Sequence, residues 1–290
     1  MDQAERLRNI IKMQNQQPHV ARVLTVTSGK GGVGKSSLSV NLAVQFSRLG
    51  KKVVVLDADF GLANVEVMFG VRPKYSLADL MFRGRSVEEV ITMGPENIGF
   101  ISGGSGIREM TNLDGDQVRA LVQMLYELDQ IADVVLIDTG AGISDIVLEL
   151  VASSNEILLV ATPEPTSITD AYALLKTLHR RDDFRGNEVH IKMIANRTAS
   201  YKQGKELFDK LGVVVNKFLD IQLEFMGVIP QDIYLQKAVM KQKPLSIAYP
   251  NAPSSRAMMD LATALENGSQ AMEQSRGIME VFADILRIRH

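Results

Sequence analysis

Short, largely apolar runs recur along the chain, and stretches with helical spacing separate them. Arg22-Val23-Leu24-Thr25-Val26-Thr27 is the first such run and leads straight into a glycine loop. Val53-Val54-Val55-Leu56 ends at Asp57, and Val134-Val135-Leu136-Ile137 ends at Asp138. Further runs are Ile98-Gly99-Phe100-Ile101, Glu156 to Val160, His190 to Ala195 (ending at Asn196) and Met226-Gly227-Val228-Ile229 before Pro230. The last could begin as early as Gln222. Helical spacing covers about 35–49, stopped by Gly50, then 115–129, 167–180 and 202–219. Strands this apolar, alternating with helices, predict an α/β fold: a mostly parallel sheet flanked by helices on both faces. In such sheets the carboxyl ends of the strands form the ligand crevice. The glycine loop, Asp57, Asp138 and Asn196 all sit at strand ends, so one crevice gathers them.

The pattern changes at both ends. Residues 2–13 predict a short helix with Ala4, Leu7, Ile10 and Ile11 at helical spacing, and a polar link broken by Pro18 follows. Glu266-Asn267-Gly268-Ser269-Gln270 reads as a break. Beyond it, Ile278, Val281, Phe282, Ile285, Leu286 and Ile288 form an apolar stripe on a helix, widened by Met279. Arg276 and Arg287 lie at its polar side or edges, and Arg289 must snorkel. The stripe fits a reversible anchor on anionic lipid, or a face docked on the protein's own core. The chain therefore divides into 1–20, a terminal helix and linker, 21–265, the α/β domain with the glycine loop, and 266–290, a targeting tail.

Composition removes several chemistries. The 290 residues include no cysteine, which excludes a disulfide-stapled fold, a zinc–thiolate site and an iron–sulfur cluster on this chain's own thiolates. A net charge of -2 advertises no general affinity for nucleic acid. No apolar run is long enough to span a membrane, and the N-terminus does not read as a secretory signal, so a cytoplasmic protein is expected. The four histidines, at 19, 179, 190 and 290, form no cluster.

The chemistry lies in Gly29-Lys30-Gly31-Gly32-Val33-Gly34-Lys35-Ser36-Ser37, a GxxxxGK[ST] phosphate loop. Its glycines let backbone N–H groups point at phosphates, and the following helix offers its positive end to the same anion. Lys35 is placed for the β- and γ-phosphates and Ser36 for Mg²⁺. Asp138 is the natural second support of that metal. Asp57 and Asp59 alternate with Ala58, so on extended backbone they point the same way. One could support the metal and the other position water, or both could cap turns. A guanine-reading NKxD is absent from the late strand end, which carries Asn196-Arg197-Thr198-Ala199 instead. The Asn196 amide can offer a donor and an acceptor to adenine, or simply form a turn. ATP is the expected nucleotide.

GKGGVGKSS, with lysine at both 30 and 35, resembles the deviant Walker A loop of the MinD/ParA (SIMIBI) class of P-loop ATPases. VVVLDADFGLANVEVMFG at 53–70, VVLIDTGAGIS at 134–144, ATPEPTSITDAYALLK at 161–176, IANR at 194–197 and GVIPQD at 227–232 match further signatures of that class in order. Gly140 stands where the family more often has proline. The resemblance implies an ATP-dependent sandwich homodimer in which Lys30 crosses to the partner copy's phosphates. It also implies that Asp59 positions water and that Asp57 and Asp138 support magnesium. Asn196 and Arg197 would lie at the base, with Pro230 and Asp232 in a neighbouring loop.

Asp2-Gln3-Ala4-Glu5-Arg6-Leu7-Arg8 is similar to the DQAxxLR start of the FlhG (FleN/YlxH) family of flagellar-number regulators. That likeness implies stimulation of an FlhF-like GTPase of the signal-recognition-particle type, with Gln3, Leu7 and Arg8 as contacts. It also implies flagellar basal-body or transcription-regulatory partners and an ATP-bound form held peripherally on the inner face of the membrane. The same core would serve a ParA-type DNA-partition ATPase, a MinD-type division-site regulator, or a scaffold that senses ATP without turning it over. Lacking cysteine, the chain does not suit an electron carrier like the nitrogenase iron protein.

Overall fold

The computed structural model describes residues 20–269, apart from 61–62, 105–125, 153, 183, 185 and 187–188. Strands form at β1 (Arg22–Thr27), β2 (Val53–Ala58), β3 (Thr92–Met93), β4 (Gly99–Ile101), β5 (Val134–Thr139), β6 (Glu156–Ala161), β7 (His190–Thr198) and β8 (Leu223–Pro230). They make one sheet in the order β3-β4-β2-β5-β1-β6-β7-β8. All described pairings are parallel except the short β3 edge, which runs antiparallel to β4. The strands expected from the apolar runs are all present, and the last starts at Leu223. β1 is central because every residue in it is buried, including Thr25 and Thr27.

The helix after the glycine loop, α1 (Lys35–Arg48), lies under the sheet centre and is buried along most of its length. A helix buried on all sides must satisfy its polar side chains internally. Asn41 donates to the Ser37 carbonyl at 2.7 Å and accepts from the Ser246 N–H at 2.8 Å. Gln45 donates to the Ser246 hydroxyl at 2.9 Å. The bonds to Ser246 fasten α1 to the short helix that starts at Leu245, so the phosphate loop rests on a fixed support.

Short helices fill the segment after β2: α2 (Asn64–Phe69), α3 (Leu77–Phe82) and α4 (Val87–Val90). The hydrophobic pattern does not predict them, because each is too brief to establish a period. Ser76 with Asp79 and Ser86 with Glu89 form capping boxes that stabilise two of these turns. Of the helix expected at 115–129, residues 115–125 lie outside the described residues, and α5 (Leu128–Ile131) is helical. The remaining helices are α6 (Asp145–Ala152), α7 (Pro165–His179), α8 (Tyr201–Phe218), α9 (Ile233–Met240), α10 (Leu245–Ala248) and α11 (Pro253–Ser269). The break read at 266–270 is not a helix end at its start: α11 continues through Gly268 to Ser269. Its apolar face continues to Leu265, packed with Met258, Leu261 and Ala262 in the cluster beneath α1. That packing outweighs the modest helix cost of one glycine.

At the end of the sheet where β1 begins, Glu156 accepts two bonds from Arg22, both 2.6 Å, and one from Lys192 at 2.9 Å. All three are buried, and Arg22 also donates to the Leu265 carbonyl of α11 at 2.9 Å. Burial would push the Glu156 carboxyl up, but Arg22 and Lys192 hold it below the usual carboxylate range. Removing the shared acceptor strands two buried cations. Glu156→Ala is expected to cost about 3–5 kcal/mol of folding stability. Urea unfolding of the nucleotide-free protein measures it, and a loss below about 1 kcal/mol, the range of an exposed pair, would contradict the account.

Candidate functional site

The phosphate loop connects β1 to α1 and must turn sharply within a few residues. Gly34, the residue before α1, has φ +100°, and a Cβ there would run into the Asn196 amide. A Cβ on Gly29 would collide with the Asp170 carbonyl of α7. Both positions therefore require glycine. Gly31 and Gly32 are exposed on the rim, whereas Val33 is buried and anchors the loop. The Asn196 side chain donates to the Val33 carbonyl at 2.7 Å, and its own oxygen accepts from the Arg197 N–H at 2.9 Å. Asn196 thus braces the loop from the end of β7, leaving one amide hydrogen and one lone pair. Arg197 sits at φ +56° inside β7, at the irregularity between Asn196 and Thr198.

Lys35 is buried and donates to the Ser28 hydroxyl at 3.0 Å. Ser28 in turn donates to the Lys30 carbonyl at 2.7 Å. Sequence reasoning misses Ser28, although it directly precedes the motif. Burial lowers the Lys35 pKa, and the negative charges of Asp138 and Asp59 pull it back up. Lys30 points elsewhere. Its ammonium pairs with Glu164 at 2.5 Å and donates to Thr166 at 2.8 Å, at the β6–α7 junction. Both partners of this ion pair are substantially exposed, so the pair is weak and Lys30 can be released. Glu164 and Thr166 lie in the ATPEPTS segment just past the end of β6; that position at a strand's carboxyl end is the signal that points to them.

The parallel register aligns Asp57 directly with Asp138 and Asp138 with Val26, just before the loop. Asp138 is fully buried. Burial is the main cause that raises its pKa from 3.8 to about 6, against the Ser36 hydroxyl, the Lys35 ammonium and the Ser39 hydroxyl. The charge therefore costs stability as pH rises from the unfolded value of about 3.9, and the cost levels off above about 6. A cation beside the carboxylate would remove it. Ser39 donates to Asp138 Oδ1 at 3.1 Å. Oδ2 is buried and makes no hydrogen bond of good geometry, although the Ser36 hydroxyl lies near enough to lower the pKa.

Burial, then the nearby Asp138 charge, pushes the Asp57 carboxyl well above the usual range. Asp57 also shapes the loop after β2, accepting from the Asp59 N–H at 3.2 Å and the Val65 N–H at 3.3 Å. β2 ends at Ala58, so the pleat that would align Asp57 with Asp59 stops one residue short. Asp59 nevertheless acts electrostatically on Lys35, Asp57 and Asp138. Its Oδ1 lies 3.6 Å from where a Cβ on Gly140 would project, in the turn after β5. That turn is tied to the phosphate loop by the Gly142 N–H to Ser28 carbonyl bond of 3.1 Å.

Ser37 is buried and directs its hydroxyl to the Met68 sulfur at 3.8 Å. Pro230 ends β8 in register with Thr198, which places it beside the irregularity at Arg197. Asp232 caps α9 by accepting from the Tyr234 N–H at 2.9 Å, and its second oxygen accepts from the Ser254 hydroxyl at 2.7 Å. Gln3, Leu7, Arg8 and the stripe from Ile278 to Ile288 lie outside the described residues.

Among the described residues, no group of three or more His, Cys, Asp or Glu side chains could hold a metal by itself. Magnesium at nucleotide sites needs no such cage, since it binds through one or two carboxylates, water and phosphates. Asp138 with its unbonded oxygen, the nearby Ser36 hydroxyl and the loop's anion cradle fit MgATP.

The family described as ParA: NUBPL iron-transfer P-loop NTPase matches residues 19–266. The antiactivator FleN of Pseudomonas aeruginosa is 40% identical over 268 residues, spanning 92% of this chain and 94% of that protein. The flagellum site-determining protein YlxH of Helicobacter pylori is 31% identical over 298 residues, spanning 99% and 98%. The crystal structure of the cell division ATPase MinD from Pyrococcus furiosus superposes with a TM-score of 0.69 at 24% identity, covering 85% of this chain and 99% of that one. The chain belongs to the ParA/MinD family of P-loop ATPases and is an ATP hydrolase.

Proposed function

We propose that this ATPase is a dimerising switch that regulates flagellar number and placement. The observation that supports it best is the division of labour between the two lysines. Lys35 is committed inside the loop, whereas Lys30 sits on the rim in a weak pair with Glu164. Magnesium would be held by Ser36 and, through water, by Asp138, with Asp57 behind it, and would neutralise charge on the phosphates. Gly29 to Ser37 cradle the triphosphate, and Asn196, Arg197, Pro230 and Asp232 border the base. In an ATP-bound homodimer, Lys30 exchanges Glu164 for the partner copy's phosphates. Asp59 orients water for attack on the γ-phosphorus, and the bond to ADP breaks. Loss of the γ-phosphate removes the charge that Lys30 holds across the interface, so hydrolysis times dimer lifetime.

The flagellar reading draws on the near full-length likeness to FleN and YlxH and on the DQAERLR start. In it, residues 1–20 act on a GTPase of the signal-recognition-particle type through Gln3, Leu7 and Arg8. Residues 21–265 hydrolyse ATP. Residues 266–290 bring the protein to anionic lipid through Ile278, Val281, Phe282, Ile285, Leu286 and Ile288. Among the described residues no helix is long and apolar enough to cross a membrane. One tail binds weakly, and a dimer presents two. A second reading, a MinD-type division-site regulator, fits the same core and the fold likeness to MinD.

Co-sedimentation with anionic vesicles tests the switch, using the full Asp59→Ala chain in MgATP and in MgADP. Pelleting is expected to be at least about tenfold stronger in MgATP, as bivalency allows. Equal pelleting in the two nucleotides, or none in either, would overturn the ATP-timed anchor.

A further inference from the structure

Ser39 lies one helical turn beyond Lys35 on α1, and no part of it is exposed. Its hydroxyl carries one proton and faces two acceptors at the same distance: the Lys35 carbonyl at 3.1 Å and Asp138 Oδ1 at 3.1 Å. The bond to the carbonyl four residues back is the common habit of a helical serine and contributes little. That carbonyl also has the helix's own N–H partner. Asp138 offers a charged acceptor, and charge-assisted bonds are about twice as strong as neutral ones. The proton therefore goes to Asp138 when that carboxylate is ionised. An aspartate has only two side-chain torsions, so fixing one oxygen in a packed site also orients the other. The other oxygen here is Oδ2, buried and without a hydrogen bond of good geometry, and the Ser36 hydroxyl that would share the metal lies near the carboxylate.

We propose that Ser39 is a positioning residue for magnesium: by holding Asp138 Oδ1 it presents Oδ2 to the metal's hydration shell and sets the site's affinity for Mg²⁺ rather than for the nucleotide. The inference rests on the reading of Ser36 and Asp138 as metal supports. It extends that reading to a side chain that never meets the ion. Outer residues of this kind orient metal ligands, and their loss costs about 10–100-fold in metal affinity. Without the hydroxyl, Asp138 is held less firmly, and Oδ1 loses its donor in a buried site.

The test uses the full-length protein and a fluorescent ADP analogue, whose binding is measured in chelator and then during Mg²⁺ titration. Ser39→Ala is expected to keep its metal-free affinity and to need about tenfold more Mg²⁺ for half-maximal effect. Ser39→Thr, which retains the hydroxyl, is expected to restore the original requirement. Asp138→Asn is run alongside and is expected to raise the Mg²⁺ requirement more than Ser39→Ala does. If Asp138→Asn raises it while Ser39→Ala does not, the positioning role is wrong and the metal reading stands. If neither variant changes it, the metal reading fails and takes the inference with it. An equal loss of metal-free binding in Ser39→Ala, unrelieved by Mg²⁺, would make Ser39 a packing residue and overturn the proposal.

Discussion

Lys35→Ala is expected to weaken ATP binding by about 2–5 kcal/mol, roughly 30-fold to several thousand-fold, the range for truncating one member of a buried charge pair. Its ammonium is buried, held by Ser28, and lies in the field of Asp138 and Asp59. Deleting it leaves an anion site surrounded by carboxylates, two of which already resist ionisation. The triphosphate would then enter against their charge with only backbone N–H groups to offset it. Calorimetric titration with MgATP measures the loss. Affinity within about threefold of the unsubstituted protein would mean that the loop amides carry binding alone, and Lys35 would lose its assigned role. Lys30→Ala gives the contrast, since its partners Glu164 and Thr166 lie outside the loop. It should leave ATP binding to the monomer largely intact and weaken the ATP-bound dimer.

The hydrophobic pattern makes the sheet legible because its central strands are buried on both faces, whereas the two-residue edge β3 is half exposed and goes unpredicted. The buried strand β5 is apolar from Val134 to Ile137, and its first polar position, Asp138, is a buried carboxylate at the crevice end. The apolar run up to Ile137 therefore suffices to put Asp138 at the crevice. The β2 end is less legible. Asp57 lies inside the strand, but chain geometry after Ala58 depends on Asp57 accepting the N–H groups of Asp59 and Val65. A sequence reading that assumes extended backbone cannot see a carboxylate folding its own loop. Asn196 shows the same limit. Its residue type points to base recognition, while its contact with the Val33 carbonyl joins β7 to a loop far away in sequence. The short helices α2 to α4 and α9 to α10 escape the pattern because four to eight residues carry too little periodicity. α11 as a whole is absent from the predicted helices, and its continuation through Gly268 runs against the break read at 266–270, because packing set by distant α1 overrides local propensity.

The two aspartates of the β2 loop should separate into different functions when replaced. Asp57 is fully buried and organises the turn, so its removal would disturb structure and metal support together. Asp59 is only partly buried and sits at the Gly140 turn within electrostatic reach of Lys35 and Asp138. That position suits a group that acts on water rather than one that holds the fold. Asp59→Ala is therefore expected to bind MgATP normally, or slightly better through loss of a negative charge. It should hydrolyse ATP about 10²–10⁴-fold more slowly, the range for removing a positioned general base. Phosphate release with vesicles present, paired with a binding titration, separates the two effects. Unchanged turnover would remove Asp59 from the chemistry and return it to a turn residue. Slow turnover with equally weakened binding would instead place Asp59 in nucleotide or metal binding. Only slow turnover with intact binding traps the ATP-bound state, and that state is the one whose dimer lifetime Lys30 would control.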